Sequence, residues 1–173
     1  MAEALLVGSP VAGRVVAMRD VPDPVFAESI VGPGLAVDPD PETGGRVVAP
    51  CAGVVVKLHP HAFVLLAPST PGAPDGAASS PGAPALATGR GVLVHLGIDT
   101  VQLRGEGFTL LVAEGDAVEA GQELVLWSPA AVADGGRSPL VPVVALDLRP
   151  GDLVELARPG DRVQVGDGLL SLP

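Results

Sequence analysis

A single cysteine, Cys51, stands in the 173-residue chain, so no internal disulfide can form, in keeping with a reducing compartment. No uninterrupted apolar run approaches the roughly 20 residues a membrane helix needs, although apolar residues make up 47% of the chain. The first residues, Met1-Ala-Glu-Ala-Leu-Leu-Val-Gly8, lack the basic start and long apolar stretch of a secretory signal. A cytoplasmic protein without direct membrane insertion is expected. Positive charge is scarce too: 10 Lys and Arg against 20 Asp and Glu give a net charge of −10. Nucleic acid demands clustered cations, so that class of partner is excluded. The acidic surface suits a basic protein partner, the plain alternative being solubility alone. Lys57 is the one lysine, which reports a GC-rich genome rather than a function.

What the chain does have is valine and leucine in short runs punctuated by Gly, Pro and Asp. Arg14-Val-Val-Ala-Met18, Gly53-Val-Val-Val-Lys-Leu58, Gly91-Val-Leu-Val-His-Leu96 and Glu123-Leu-Val-Leu-Trp127 are examples. Short β-branched runs between turn residues predict strands of an all-β sandwich or barrel. Helix is limited to one or two short pieces. Pro24-Val-Phe-Ala-Glu-Ser-Ile30 has room for one turn or two. Ser128-Pro-Ala-Ala-Val-Ala-Asp134 has a serine cap, Pro at the first helical position and Gly135 to end it. Residues 1–173 are long enough for one domain with a real core. The stretch from Ala67 to Arg90 is rich in Pro, Gly, Ala and Ser and has no apolar periodicity, which predicts a mobile hairpin insertion.

Two internal echoes sharpen the fold class. Pro10-Val-Ala-Gly-Arg-Val-Val-Ala-Met18 recurs as Pro50-Cys-Ala-Gly-Val-Val-Val-Lys-Leu58. Gly115-Asp-Ala-Val-Glu-Ala-Gly-Gln-Glu-Leu124 recurs as Gly160-Asp-Arg-Val-Gln-Val-Gly-Asp-Gly-Leu169. A Gly-Asp turn followed by valine, a second glycine and leucine describes a tight turn feeding a strand. The pattern resembles the barrel-sandwich hybrid of biotinyl and lipoyl domains, present here in duplicate.

The chemistry concentrates in two motifs that hold all three histidines. One is Leu93-Val-His-Leu-Gly-Ile-Asp-Thr-Val-Gln-Leu-Arg-Gly-Glu-Gly-Phe108, the other His59-Pro-His-Ala-Phe63. An imidazole nitrogen can attack phosphorus and hold a phosphoryl group, and a second imidazole can hydrogen-bond its oxygens. In an extended His59-Pro-His61 both rings lie on one strand face, because side chains alternate. A strand carrying His95 alongside would bring the three rings to one patch.

These residues resemble the glucose-family IIA component of the bacterial phosphoenolpyruvate:sugar phosphotransferase system, over about Ser9 to Leu172 and weakly near Leu146 to Arg158. That family has the duplicated fold. The histidine of its His-x-Gly-Ile-Asp-Thr-Val motif carries the phosphoryl group, and the histidine of its His-Ala-Phe motif sits against it. By that resemblance His95 is the carrier and His61 its helper. His61, and backbone amides near Gly97, are expected to bond the phosphate oxygens. His59 stands where many members have a threonine that helps fix the hydrogen bonding around the active pair, a purpose an imidazole there could also serve. Asp23, in a Val-Pro-Asp motif, and Asp99 would flank the active face and pair with arginines of the partners. Turn formation is the plain alternative for both. Phe26, Ile30, Val31, Leu93 and Val101 would form an apolar ring, with burial in the core as the alternative for Leu93 and Val101. The implied partners are the phosphocarrier protein HPr and the IIB domain of a sugar permease. No cofactor and no metal are required.

Three rival readings remain. His95-Leu-Gly-Ile-Asp99 and His59-Pro-His61 also match the His-x-x-x-Asp and His-x-His zinc patterns of lysostaphin and LytM peptidases, in reversed order. Adventitious zinc on His61 and His95 fits the same pair. A biotin or lipoate carrier needs a lysine at a hairpin tip, whereas Lys57 sits inside a valine-rich run. A regulatory binding protein is compatible with all these residues. Cys51, in Pro50-Cys-Ala-Gly53, is expected to be a small buried residue beside a turn.

Overall fold

The four valine-rich runs all become short antiparallel strands in the computed structural model, which describes residues 4–68 and 89–173. Most of the insertion expected between Ala67 and Arg90 lies outside the described residues. In chain order the strands are β1 (Leu5–Gly8), β2 (Gly13–Ala17), β3 (Gly34–Pro39), β4 (Arg46–Val48) and β5 (Gly53–His59). Then come β6 (Ala62–Pro68), β7 (Gly89–His95), β8 (Thr109–Leu110), β9 (Ala117–Val118) and β10 (Glu123–Leu126). The last four are β11 (Val141–Ala145), β12 (Val154–Glu155), β13 (Arg162–Val163) and β14 (Gly168–Leu172). Eight of them make one sheet in the order β13-β2-β3-β11-β7-β6-β5-β9. Two three-stranded sheets, β1-β14-β12 and β4-β10-β8, complete the architecture. The region from Leu146 to Arg158 forms a 3-10 turn at Pro150–Asp152 followed by β12.

The echoes in the sequence are a structural repeat. Val15 N–H donates to Asp161 O and Val55 N–H to Asp116 O, both within 2.9 Å. Gly160 N–H returns to Val15 O, as Gly115 N–H does to Val55 O. Gly8 N–H donates to Pro50 O while Val48 N–H donates to Pro10 O, so the two halves exchange bonds reciprocally. At the paired turns Asp116 Oδ2 accepts from Ala113 N–H and Asp161 Oδ2 from Arg158 N–H, each at 2.9 Å. Short Gly-Asp turns therefore satisfy their own backbone and feed a strand, which is why the motif recurs.

The inward side chains of both halves make one core, including Val15, Val55, Phe63, Leu65, Val94, Leu124 and Leu170. Cys51 is buried in it, and desolvation pushes its thiol up to about 12. At that value it is not a nucleophile at neutral pH. A second, smaller cluster lies separately: Met18, Val21, Phe26, Ala36, Ile98 and Val144. Through Phe26 it meets His95. The helices are α1 (Pro24–Ala27), a single turn, and α2 (Pro129–Asp134). α2 has the expected cap, with Ser128 Oγ accepting from Ala131 N–H, and ends at Gly135.

Candidate functional site

His95 closes β7, and register with β6 sets it opposite Ala62. His61 is not in a strand. The expectation of an extended His59-Pro-His61 is corrected: β5 ends at His59, β6 begins at Ala62, and Pro60-His61 form the tip of a two-residue hairpin. Proline fits there because its fixed φ suits a turn and it has no N–H to contribute to a ladder. The rings still converge. The centroids of His59 and His61 are 5.7 Å apart and nearly parallel. Those of His61 and His95 are 5.1 Å apart, edge to face. Leu96 N–H donates to His61 O at 2.7 Å, fastening the hairpin tip to the end of β7.

Beyond β7 the chain turns sharply. Gly97 has φ +80° and Asp99 φ +61°, both left-handed, and a 3-10 turn follows at Thr100–Leu103. A Cβ on Gly97 would lie 2.6 Å from the Thr100 methyl and 3.1 Å from Ser138 O, so only glycine fits. Two of the amides near Gly97 are already engaged: Gly97 N–H donates to Leu140 O and Ile98 N–H to Ser138 O. In this structure the carbonyls of Ser138 and Leu140 therefore take these two donors, which closes the turn. Gly97 contributes its carbonyl instead, 2.6 Å from His95 Nδ1. A carbonyl only accepts, so the bond assigns the proton to Nδ1 and leaves Nε2 with its lone pair.

Burial holds both central rings neutral. His61 is lowered to about 4, first by desolvation and then by the neighbouring imidazoles of His95 and His59. His95 is also lowered by desolvation, against the opposing pull of the Gly97 carbonyl, Asp23 and Asp99. A neutral imidazole is the form that attacks.

The flanking residues divide into wall and rim. Phe26, expected on the docking surface, is 6% exposed and instead packs its ring 5.3 Å from that of His95. Its burial makes it a wall of the site. Ile30 and Val101 are the exposed apolar members, at 66% and 60%, while Val31 and Leu93 are half-buried. For Val101 this sets aside the core alternative. Asp23 caps α1, its Oδ1 accepting from Val25 N–H at 2.9 Å, so turn formation is part of its role. Asp99 is exposed, and its side chain makes no cap bond.

Four participants escaped sequence reasoning. Val25 is exposed on the same short helix as Phe26 and adds to the apolar rim. Leu140 and Ser138 act through main-chain carbonyls, which leave no mark in side-chain patterns. Thr100, fully buried, donates its hydroxyl to Leu96 O at 2.7 Å. Its place in the Gly-Ile-Asp-Thr-Val motif was the available signal. Among the described residues no three His, Cys, Asp or Glu side chains are grouped as a metal set, so the paired zinc patterns do not assemble into the peptidase site. No helix is long and apolar enough to cross a membrane among the described residues.

Comparison with known proteins gives a consistent answer. The sequence model of the phosphoenolpyruvate-dependent sugar phosphotransferase system, EIIA 1, matches residues 5–71 and 85–149. A glucose-specific EIIA component of that system from Halalkalibacterium halodurans is 37% identical over 145 residues, spanning 83% of this chain and 71% of the relative. One from Staphylococcus aureus is 36% identical over 138 residues, spanning 79% of this chain and 70% of the relative. Among solved structures, glucose permease IIA from Mycoplasma capricolum superimposes with a TM-score of 0.78 at 29% identity. It covers 99% of this chain and 97% of its own.

Proposed function

The chain belongs to the EIIA 1 family of the phosphoenolpyruvate-dependent sugar phosphotransferase system, as a glucose-family phosphocarrier component, and from that premise we propose that His95 Nε2 is the carrier atom. The observation that carries the assignment is the 2.6 Å contact between His95 Nδ1 and Gly97 O. With Nδ1 protonated, the Nε2 lone pair attacks the phosphorus of a phosphohistidine on HPr. The new N–P bond forms as the donor's N–P bond breaks, and the donor imidazole leaves with its electron pair. The phosphorylated ring keeps its Nδ1 proton and gains positive character. The Gly97 carbonyl then faces that N–H, and the nearby carboxylates of Asp23 and Asp99 favour the cation.

His61 supports the phosphoryl oxygens. A neutral imidazole always retains one N–H, and this ring stands edge to face with His95. His59, stacked on His61, restricts that ring where a threonine hydroxyl would hydrogen-bond it. Onward transfer goes to a cysteine thiolate on a IIB domain, with the N–P bond breaking as an S–P bond forms. In-line approach is the main demand, so positioning does more than acid–base work. The exposed apolar residues Val25, Ile30 and Val101, with Asp23 and Asp99 beside them, form the face on which both partners dock in turn. Its acidity suits basic partners, consistent with the net charge of −10.

Incubation with phosphoenolpyruvate, enzyme I and HPr, followed by mass spectrometry, tests the assignment. One acid-labile phosphate on the peptide containing His95 is expected. A phosphate on the His61 peptide, or none, would overturn it.

A further inference from the structure

We infer that Thr100 is a positioning residue for the phosphoryl carrier: its buried hydroxyl holds the turn after β7 in the orientation that presents the Gly97 carbonyl to His95 Nδ1. The inference rests on the reading of His95 as carrier.

The carbonyl that selects the tautomer belongs to a glycine, a residue with many accessible conformations. Neighbours must therefore fix it. On the amide side, Gly97 N–H and Ile98 N–H are held by Leu140 O and Ser138 O. On the carbonyl side, Leu96 O accepts from Thr100 Oγ1 at 2.7 Å, and the same hydroxyl is 3.5 Å from Gly97 O. Thr100 thus grips the peptide just before the one that His95 uses. Its methyl packs where a Gly97 Cβ would be, so one side chain both bonds the turn and fills the space beneath it. Leu96 also donates its N–H to His61 O, so the same residue, through its two flanking peptides, links the helper's hairpin to the carrier's turn. Thr100 is 0% exposed and touches no reacting atom; it acts through Leu96 and Gly97.

A hydroxyl that merely satisfies a buried carbonyl would leave the state of His95 unchanged when replaced. The test separates these roles. Thr100→Val keeps the shape and removes the donor; Thr100→Ser keeps the donor and removes the methyl. Nitrogen-15 NMR of the His95 ring reads the tautomer without any transfer reaction. The wild type is expected to hold the proton on Nδ1. In Thr100→Val the loosened carbonyl should let the proton distribute toward Nε2, the site an imidazole favours in water. The kcat for phosphoryl uptake from phospho-HPr should fall roughly tenfold to a hundredfold, by analogy with the loss of groups that orient metal-bound histidines, with KM little changed. Thr100→Ser should keep the tautomer. A folded Thr100→Val with wild-type tautomer and kcat would overturn the inference. Should Thr100→Val not fold, Thr100→Ser decides: a retained tautomer supports the role of the hydroxyl, and a mixed one overturns it. Phosphate uptake by His95→Gln would instead sink the carrier assignment, leaving the NMR result on Thr100 intact.

Discussion

Gly97 O and His95 Nδ1 stand 2.6 Å apart across only two residues of sequence, and this contact decides which ring nitrogen is free. It depends on the left-handed φ of Gly97, on two carbonyls from the loop at 138–140 and on the Thr100 hydroxyl. A local contact therefore has a tertiary cause.

The two central histidines are expected to have unequal roles. His95→Gln should take up no phosphate, because an amide cannot accept a phosphoryl group as an imidazole does. His61→Gln should still be labelled, but onward transfer to IIB should slow on the order of a hundredfold, the scale for losing one transition-state donor. His59→Gln should cost less than either. Quench-flow transfer assays with radiolabelled phosphate read all three, and label on His95→Gln with none on His61→Gln would reverse the assignment.

A backbone prediction concerns Gly97→Ala. The added methyl meets Thr100 Cγ2 at 2.6 Å while φ is +80°. The strain should destabilise the fold by about 1–3 kcal/mol, seen as a lower urea midpoint, and uptake should fall with it. A variant with unchanged midpoint and full uptake would show that the turn is not needed in this form.

Protonation gives a third expectation. His61 is lowered to about 4 and His95 is lowered from its usual 6.5, both chiefly by desolvation. A depressed folded value means that the unfolded chain binds protons which the folded chain refuses. The stability from these groups is complete above about pH 6.5 and drains as pH falls toward 4. NMR titration should find the His61 ring neutral at pH 6, with a midpoint near 4. Urea midpoints should decline between pH 7 and pH 4.5, and less so in His61→Gln. A His61 midpoint near 6.5 would contradict the proposed desolvation.

Docking supplies the fourth. Asp23→Asn with Asp99→Asn removes charge while asparagine retains the cap on α1, so stability should hold within about 0.5 kcal/mol. Phosphate uptake from HPr should slow at low ionic strength and lose much of its salt dependence. Uptake identical to wild type across salt concentrations would remove both aspartates from the docking face.

Much of this was legible in the chain. Val-rich runs bounded by Gly and Asp marked the strands, since β-branched side chains favour extended backbone and the turn residues end it. The cap, proline and glycine around Pro129–Asp134 marked α2. Less legible was His61, which reads as a strand residue beside His59 yet sits at a hairpin tip, because pairing register between β5 and β6 decides where a strand stops. The Gly97 amide looked available because nothing in its own motif names Leu140 O as its acceptor. Phe26 looked like surface until the second cluster closed over it.

The sequence by itself determined the all-β class, the repeat and the two motifs that hold all three histidines, because these follow from local propensity, periodic turns and short-range spacing. Only the tertiary structure decided which nitrogen of His95 is free, why Thr100 is buried beneath it and which apolar residues form rim rather than wall. Those properties arise from backbone carbonyls, register and burial contributed by segments far apart in the chain, and no single stretch of sequence encodes contacts it does not itself make.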